Sequence, residues 1–325
     1  MPRPRPRALL SRLGGVVASV VLVLWGAATL AFAAFRIIPG DPVSVMLGPQ
    51  AQVSESVKAG IRSDLGLDRP VGEQYVAFLG RLVRGDLGES YQLRQPVAEV
   101  IGRQLGPTLQ LSALALLIAV VLALASALLV RGRTGRAVAS GIELVVLSSP
   151  VFWTGLVLLS VFSFQLGWFP VSGARDGAAI VLPAVTLALP VAALLSQVLR
   201  DGVEAAEREP FLLTVRARGA APLREGVHHT LRHASVGGVT LAAYLVGSLL
   251  GGAVLVETVF ARPGIGRVTL TAITDRDLPV ITGVILLSAL VFVVVNTLVD
   301  LVVPLIDPRL RAARPALAAR TGVPA

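Results

Sequence analysis

Six stretches of this chain contain no Asp, Glu, Lys or Arg: residues 13–35, 104–130, 144–174, 177–199, 234–256 and 278–299. A helix rises 1.5 Å per residue, so crossing roughly 30 Å of hydrocarbon takes about 20 residues. The shortest stretch has 22, so each is long enough to span a bilayer. The remainder agrees with that solvent. The 325 residues are 54% apolar and only 15% charged, with a mean hydropathy of +0.76. A water-soluble domain needs more polar side chains than this to cover its surface. Disordered, fibrous and ordinary soluble classes are excluded, and the fold class expected is an all-α integral membrane protein with six transmembrane helices.

The net charge of +9 does not point to nucleic acid. The arginines flank the uncharged stretches, and aromatic side chains that stack on bases make up only 5%. The chain has no cysteine, so disulfides, thiolate metal sites and a Cys nucleophile are impossible. Arg3, Arg5, Arg7 and Arg12 before the first stretch, with Ala31-Phe32-Ala33 inside it, have the look of a secretory signal. Its apolar run of 23 residues exceeds the roughly 7–15 of a signal core, which favours an uncleaved first helix.

Arginine counts in short loops set the orientation. Residues 1–12 hold four Arg and no acid, 131–136 hold Arg131, Arg133 and Arg136, and the tail carries Arg309, Arg311, Arg314 and Arg320. All three belong on the cytoplasmic side of a cell membrane, so both termini do. Segment 36–103 has eight basic and eight acidic residues and is long enough to translocate regardless of charge. The organisation expected is a basic N-terminus (1–12), a first helix (13–35), a folded external segment (36–103), a core with five further helices (104–310) and a tail (311–325). Within the external segment, Ser54 to Leu65 and Val71 to Val83 read as short amphipathic helices, separated by turn clusters at Pro39-Gly40-Asp41-Pro42 and Gly85-Asp86-Leu87-Gly88.

Catalytic chemistry is conspicuously missing from the sequence. The single lysine, Lys58, has no phosphate-binding glycine loop around it, and neither H-E-x-x-H nor G-x-S-x-G occurs. Isolated polar residues in or beside the stretches read more simply. Glu143 is expected at the N-terminus of the third helix, where the dipole favours a carboxylate. Asn296 and Asp300 stand four apart on the last helix and read as a polar helix clamp rather than a proton relay, with Gln110 and Gln197 as weaker cases. Glu225, His229 and His233 have i, i+4, i+8 spacing, but nothing nearby completes a metal shell, and a polar surface helix including His228 is the better reading.

Segment 200–233 is too large for a turn and reads as a cytoplasmic docking knob. Glu209 is placed to cap a short helix opened by Pro210, running through Phe211, Leu212 and Val215 to a stop at Gly219. A second helix opens at Pro222, with Leu223, Val227 and Leu231 along one face and Arg224, His228 and Arg232 along the other. A helix lying on lipid headgroups is the alternative.

Thr214-Val215-Arg216-Ala217-Arg218-Gly219-Ala220 followed by Leu231-Arg232-His233-Ala234 resembles the loop by which permeases of ABC importers engage their ATPases. Further motifs resemble the dipeptide/oligopeptide/nickel permease family, in particular its first-permease, B-type members. They include Ile38-Pro39-Gly40-Asp41-Pro42, Gly66-Leu67-Asp68-Arg69-Pro70 with Gln74-Tyr75, and Gly85-Asp86-Leu87-Gly88-Glu89-Ser90. Others are Ser149-Pro150-Val151-Phe152-Trp153, Leu166-Gly167-Trp168-Phe169-Pro170, Leu182-Pro183-Ala184, Val256-Glu257-Thr258-Val259-Phe260, Pro263-Gly264-Ile265-Gly266 and Asp307-Pro308-Arg309. Each alone would mark a turn, whereas their order along six helices carries the resemblance. Val236-Gly237 stands where the family has a proline, and His233 where it has an asparagine.

The resemblance implies a non-enzymatic permease subunit, with ATP and Mg bound only by partners. Those partners would be two cytoplasmic ATPase domains, a second homologous permease and an external solute-binding protein. The implied cargo is a di- or oligopeptide, with nickel or a metal chelate as the alternative, and an ion-coupled secondary transporter as the rival from another class. Glu209, Thr214, Arg216, Ala217, Arg218, Gly219, Ala220 and Arg232 would form the coupling loop.

Overall fold

The computed structural model describes residues 6–37, 42–47, 53–64, 66–172, 177–219, 221–226 and 230–306. Pro39 to Asp41, Ala220, Val227 to His229 and the tail from Asp307 lie outside the described residues, as do the side chains of Arg216, Leu223, Arg232, His233 and Asp300. The described chain is helical, and its single β feature is an isolated bridge between Glu89 and Pro96.

Thirteen α-helices are described: α1 Pro6–Ile37, α2 Pro42–Leu47, α3 Glu55–Asp64, α4 Val71–Val83, α5 Val97–Leu129, α6 Gly132–Ser148, α7 Val151–Leu158, α8 Val181–Glu207, α9 Phe211–Ala217, α10 Pro222–Glu225, α11 Leu231–Val259, α12 Ile265–Thr274 and α13 Leu278–Ile306. Five of them are long and apolar enough to cross a membrane: α1, α5, α8, α11 and α13. The third uncharged stretch differs from the straight span expected. α6 and α7 pass the same test together only as a pair bent by 105°, α7 continuing as a π turn through Gln165. Pro150 stands at the break. It offers no N–H to the helix before it and disfavours helical backbone at Ser149, which is extended at ψ 130°.

The break also moves Glu143. Because α6 starts at Gly132, Glu143 lies deep in that helix rather than at an N-terminus. The dipole therefore does not explain it, and a buried partner described below does.

The chain divides into two compact units. The first comprises Met1–Thr108 and Pro263–Val293. Here α4 leans on α1 through Phe32, whose ring centroid lies 5.3 Å from Tyr75 and 5.6 Å from Phe78, and Thr29 Oγ1 meets the Tyr75 hydroxyl at 2.7 Å. Gln74 Nε2 donates to the carbonyls of Leu67 and Arg69 at 3.0 and 2.8 Å, tying the preceding loop to α4. Gly85 and Gly88 take φ of +77° and +81°, the left-handed region that favours glycine. They lead into a tight loop whose Ser90 hydroxyl donates to Asp277, at the start of α13. Tyr91 and Gln92 add backbone N–H donors to the same carboxylate at 3.2 and 3.4 Å. Burial, and then the Asp277 charge, push the Tyr91 phenol above its ordinary pKa, with Arg81 opposing. Val97, Ile101, Ile265, Val280 and Val284 form the apolar core of this unit.

The second unit comprises Leu109–Arg262 and Val294–Ala325. α8 is its axis: 61% of its most apolar window is buried, against 24% for α11. Lipid tails are as apolar as leucine, so helices in a bilayer associate through close packing and small residues rather than by escaping water. Ala115, Ala119, Ala123 and Ala127 recur every fourth residue on α5 and are buried in the same core as α8 and α11. Between α8 and α11 the approach is closer still. A Cβ added at Gly202 would stand 2.8 Å from both the Cα and the Cβ of Ala234, contacts that only backbone movement relieves. Gly202→Ala is therefore expected to destabilise the detergent-solubilised protein by about 1–3 kcal/mol, the usual range for overpacking. Thermal denaturation checks this against Gly251→Ala, where a Cβ meets open space.

Candidate functional site

Segment 208–230 leaves α8 and returns into α11. Its first part folds as the sequence predicts. The Glu209 and Pro210 carbonyls accept the Leu212 and Leu213 N–H groups at 3.1 and 3.2 Å, so Glu209 opens α9 through its main chain. Leu212 is buried while Leu213 is exposed, so α9 has one anchored face and one open face. The Thr214 carbonyl accepts the Arg218 N–H at 3.2 Å, and Gly219 then turns the chain at φ +73°. Thr214, Ala217, Arg218 and Gly219 are all exposed. A Cβ at Gly219 would touch nothing within 4 Å, so glycine is required there by backbone conformation and not by crowding. α10 is shorter than the sequence predicts, ending at Glu225, and the long helix α11 begins at Leu231. Arg232 is thus the second residue of α11.

Ion pairs the sequence reading missed brace the base of this loop. Arg200 of α8 makes a bidentate pair with Glu143 of α6, and its Nη1 also donates to Ser126 Oγ of α5 at 2.7 Å. The Arg200 and Glu143 side chains are only 10% and 9% exposed. Nearer the loop, Arg136, seven residues before Glu143 on α6, places Nη1 2.9 Å from Glu204 Oε2 and Nη2 3.7 Å from Glu207, four and seven residues beyond Arg200 on α8. Seven residues is two helical turns, so basic and acidic residues seven apart on α6 meet acidic and basic ones seven apart on α8, with the helices antiparallel. That complementary spacing was readable from the sequence, hidden by treating the charges only as limits of the spans. Beside these pairs lies a cavity of about 80 Å³ lined by Arg131, Arg136, Arg200, Glu207, Glu225 and Thr230, where α5, α6, α8 and the loop converge.

The other predicted polar group is only half placed. Asn296 is exposed on α13, and Asp300 lies one turn further along. Two further buried charged residues were not foreseen. Glu257 and Arg262, at the end of α11, are 0% and 4% exposed, and the Arg262 backbone N–H donates to the Glu257 backbone carbonyl at 2.8 Å. Burial holds the Arg262 guanidinium below its ordinary pKa, with Glu257 opposing. Among the described residues no group of three or more His, Cys, Asp or Glu is placed to hold a metal ion.

Residues 104–312 match the family described as binding-protein-dependent transport system inner membrane component, and residues 7–112 match its N-terminal family. The chain belongs to this family, and so is a multi-pass component of the inner membrane. It is 35% identical over 315 residues to a probable peptide ABC transporter permease, y4tP, of Sinorhizobium fredii, covering 93% of this chain and 98% of that one. It is 35% identical to the di/tripeptide transport system permease DppB of Pseudomonas aeruginosa (94% and 100% covered) and to the glutathione transport system permease GsiC of Escherichia coli (93% and 98%). A solved structure of the methionine ABC transporter MetNI in inward-facing conformations shares the fold, with a TM-score of 0.50 at 19% identity over 62% of this chain and 92% of that one.

Breaking the buried pair leaves a charge without its partner, which in general costs about 3–5 kcal/mol. Arg200→Met is therefore expected to lower stability by that amount, and Glu143→Leu with Arg200→Met together to recover most of it. A double-mutant cycle by thermal denaturation in detergent measures the coupling.

Proposed function

We propose that the chain is the transmembrane permease subunit of an ATP-driven importer of short peptides. Identity of 35% along 94% of the chain to a di/tripeptide permease is the observation that carries this reading. The partners are two cytoplasmic ATPase domains, which bind ATP and Mg, a second homologous permease and an external solute-binding protein. The arginine-rich termini lie in the cytoplasm, and segment 36–103 faces outward, where it is available to the binding protein.

Mechanically, the reading needs a rigid connection between ATPase and spans. Closure of the ATPase pair must favour one of two permease states, because a partner shifts an equilibrium only through differential stabilisation. Segment 208–230 supplies the contact, with Arg216 and Arg218 reaching the ATPase surface. Gly219 sets the turn that presents them, and the α6–α8 ion pairs keep the base of the loop from yielding. Force on the loop then becomes rigid-body movement of the helices.

Co-purification of the tagged chain with its partner subunits tests this. Proline cannot adopt φ +73°, so Gly219→Pro is expected to lose the ATPase subunits, whereas Gly219→Asn, which tolerates left-handed backbone, retains them. ATPase activity of the intact complex is expected to rise with peptide-loaded binding protein. A chain that purifies alone and transports in liposomes under a proton gradient without ATP overturns the reading.

A further inference from the structure

The third uncharged stretch departs from regular helix a second time. Beyond α7 the chain winds as a π turn over Leu159–Gln165, and the Leu166 N–H then reaches five residues back to the Val161 carbonyl at 3.0 Å. A π turn holds one residue more than an α turn, and such turns occur frequently at functional positions. Inside it, Ser163 is only 7% exposed, and its Oγ is fully buried with no hydrogen-bond partner. Several other helical hydroxyls of this chain reach the carbonyl four residues back, as at Ser149, Thr154, Thr186 and Thr258. For Ser163 that acceptor is the Leu159 carbonyl, which a π turn directs to the N–H five residues on. Most buried hydroxyls are paired, so two irregularities, one of backbone and one of side chain, fall on the same turn.

The two sides of this turn are held differently. Upstream, α7 is pinned. A Cβ at Gly155 would stand 3.3 Å from Phe260 and from Thr186, and Leu159 is buried in the core shared with α8 and α11. Downstream, Phe164, Leu166 and Trp168 are exposed. They form one tip tied to Phe162: Gly167 turns the chain at φ +64°, the Trp168 N–H bonds to the Phe162 carbonyl at 2.9 Å, and the two rings lie 5.7 Å apart.

Releasing the extra residue would convert the turn to α and advance everything after it by one helical position, about 100° and 1.5 Å. Ser163 would then take the place of Phe164, which is 66% exposed, with its hydroxyl in reach of the Leu159 carbonyl. Phe162 would take the buried place of Ser163. A site packed around serine must widen to admit a phenylalanine ring. The α form therefore needs α7, α8 and α11 to stand further apart, while the π form suits the close packing seen here.

We propose that Leu159–Gln165 is a register switch. It is a π turn in the helix arrangement seen here and an α turn in the other arrangement of the transport cycle, and the change rotates the tip 164–168 by about 100°. The unpaired hydroxyl weighs against the π form and the narrow site against the α form, so movement of the surrounding helices decides between them. The inference rests on the importer reading, which requires two arrangements, and adds where the third span changes shape between them.

The complete transporter in nanodiscs provides the test. This chain has no cysteine, so with cysteine-free partner subunits a nitroxide can be placed singly at each position from 160 to 168. Accessibility to oxygen is expected to be lowest at 163 without nucleotide and at 162 with ATP and vanadate. A minimum at the same residue in both states overturns the switch and leaves the importer reading intact. Deleting the exposed Ser160 removes the extra residue while later residues keep their present places. This variant is expected to assemble with the ATPases and keep its thermal midpoint, yet to import a radiolabelled tripeptide about tenfold more slowly. Import at the wild-type rate overturns the switch. Ser163→Ala, which leaves the chain length unchanged, removes the buried unpaired oxygen and so favours the π form. It is expected to raise the thermal midpoint and to slow import about threefold, and a lowered midpoint or unchanged import overturns the switch. If the wild-type complex lacks ATPases or imports no tripeptide, the importer reading fails and the switch with it.

Discussion

The second unit depends on how closely two helices approach in a solvent that does not push them together. In hydrocarbon, burying one more leucine gains little, so contact must come from backbone proximity and interhelical polar bonds. Gly202 against Ala234 provides the first and Arg200 with Glu143 the second. The two lie two residues apart on α8, nearly opposite each other round the helix, one facing α11 and the other α6. An α8 held on both sides explains why so much more of it is buried than of any other span. It also explains why the chain can suspend an exposed, glycine-turned loop from the end of that helix without losing its geometry.

Much of this was legible because hydropathy and turn chemistry are local. The long apolar runs, the amphipathic helix over Val71–Val83 and the stop at Gly219 all follow from residues within a few turns of each other. What was not legible depended on contacts across the sequence. Asp277 looked like an ordinary residue before a span, yet it gathers donors from Ser90, Tyr91 and Gln92, nearly two hundred residues earlier. Arg200 looked like the edge of a hydrophobic run, yet its guanidinium turns back to Glu143. Helix α12 went unseen because its ten residues, Ile265–Thr274, are too few to span a bilayer and contain Arg267, so they fall between the uncharged stretches.

The bend at Pro150 shows how a local rule can override a long-range one. Charge-free length alone predicts a straight span, but the backbone must satisfy its own donors and acceptors, and proline removes one donor at the decisive position. The Ser149 N–H still reaches the Val145 carbonyl at 3.1 Å, so α6 closes cleanly before the chain turns. Gly155, one turn into α7, then lies so close to Phe260 and Thr186 that a Cβ would stand 3.3 Å from each. The bend therefore ends in tight contact rather than in a loose elbow.

The two sets of ion pairs on α6 and α8 differ in their access to mobile ions. At physiological ionic strength the screening length is about 8 Å, and it acts on charges that water can reach. The Arg136 cluster is 36–41% exposed and lies within that reach, whereas Arg200 and Glu143 are shielded. Rising salt should thus weaken the outer pair more than the inner one. The α6–α8 seam then behaves as a zipper that loosens first at its loop end, a graded looseness where the loop joins the spans.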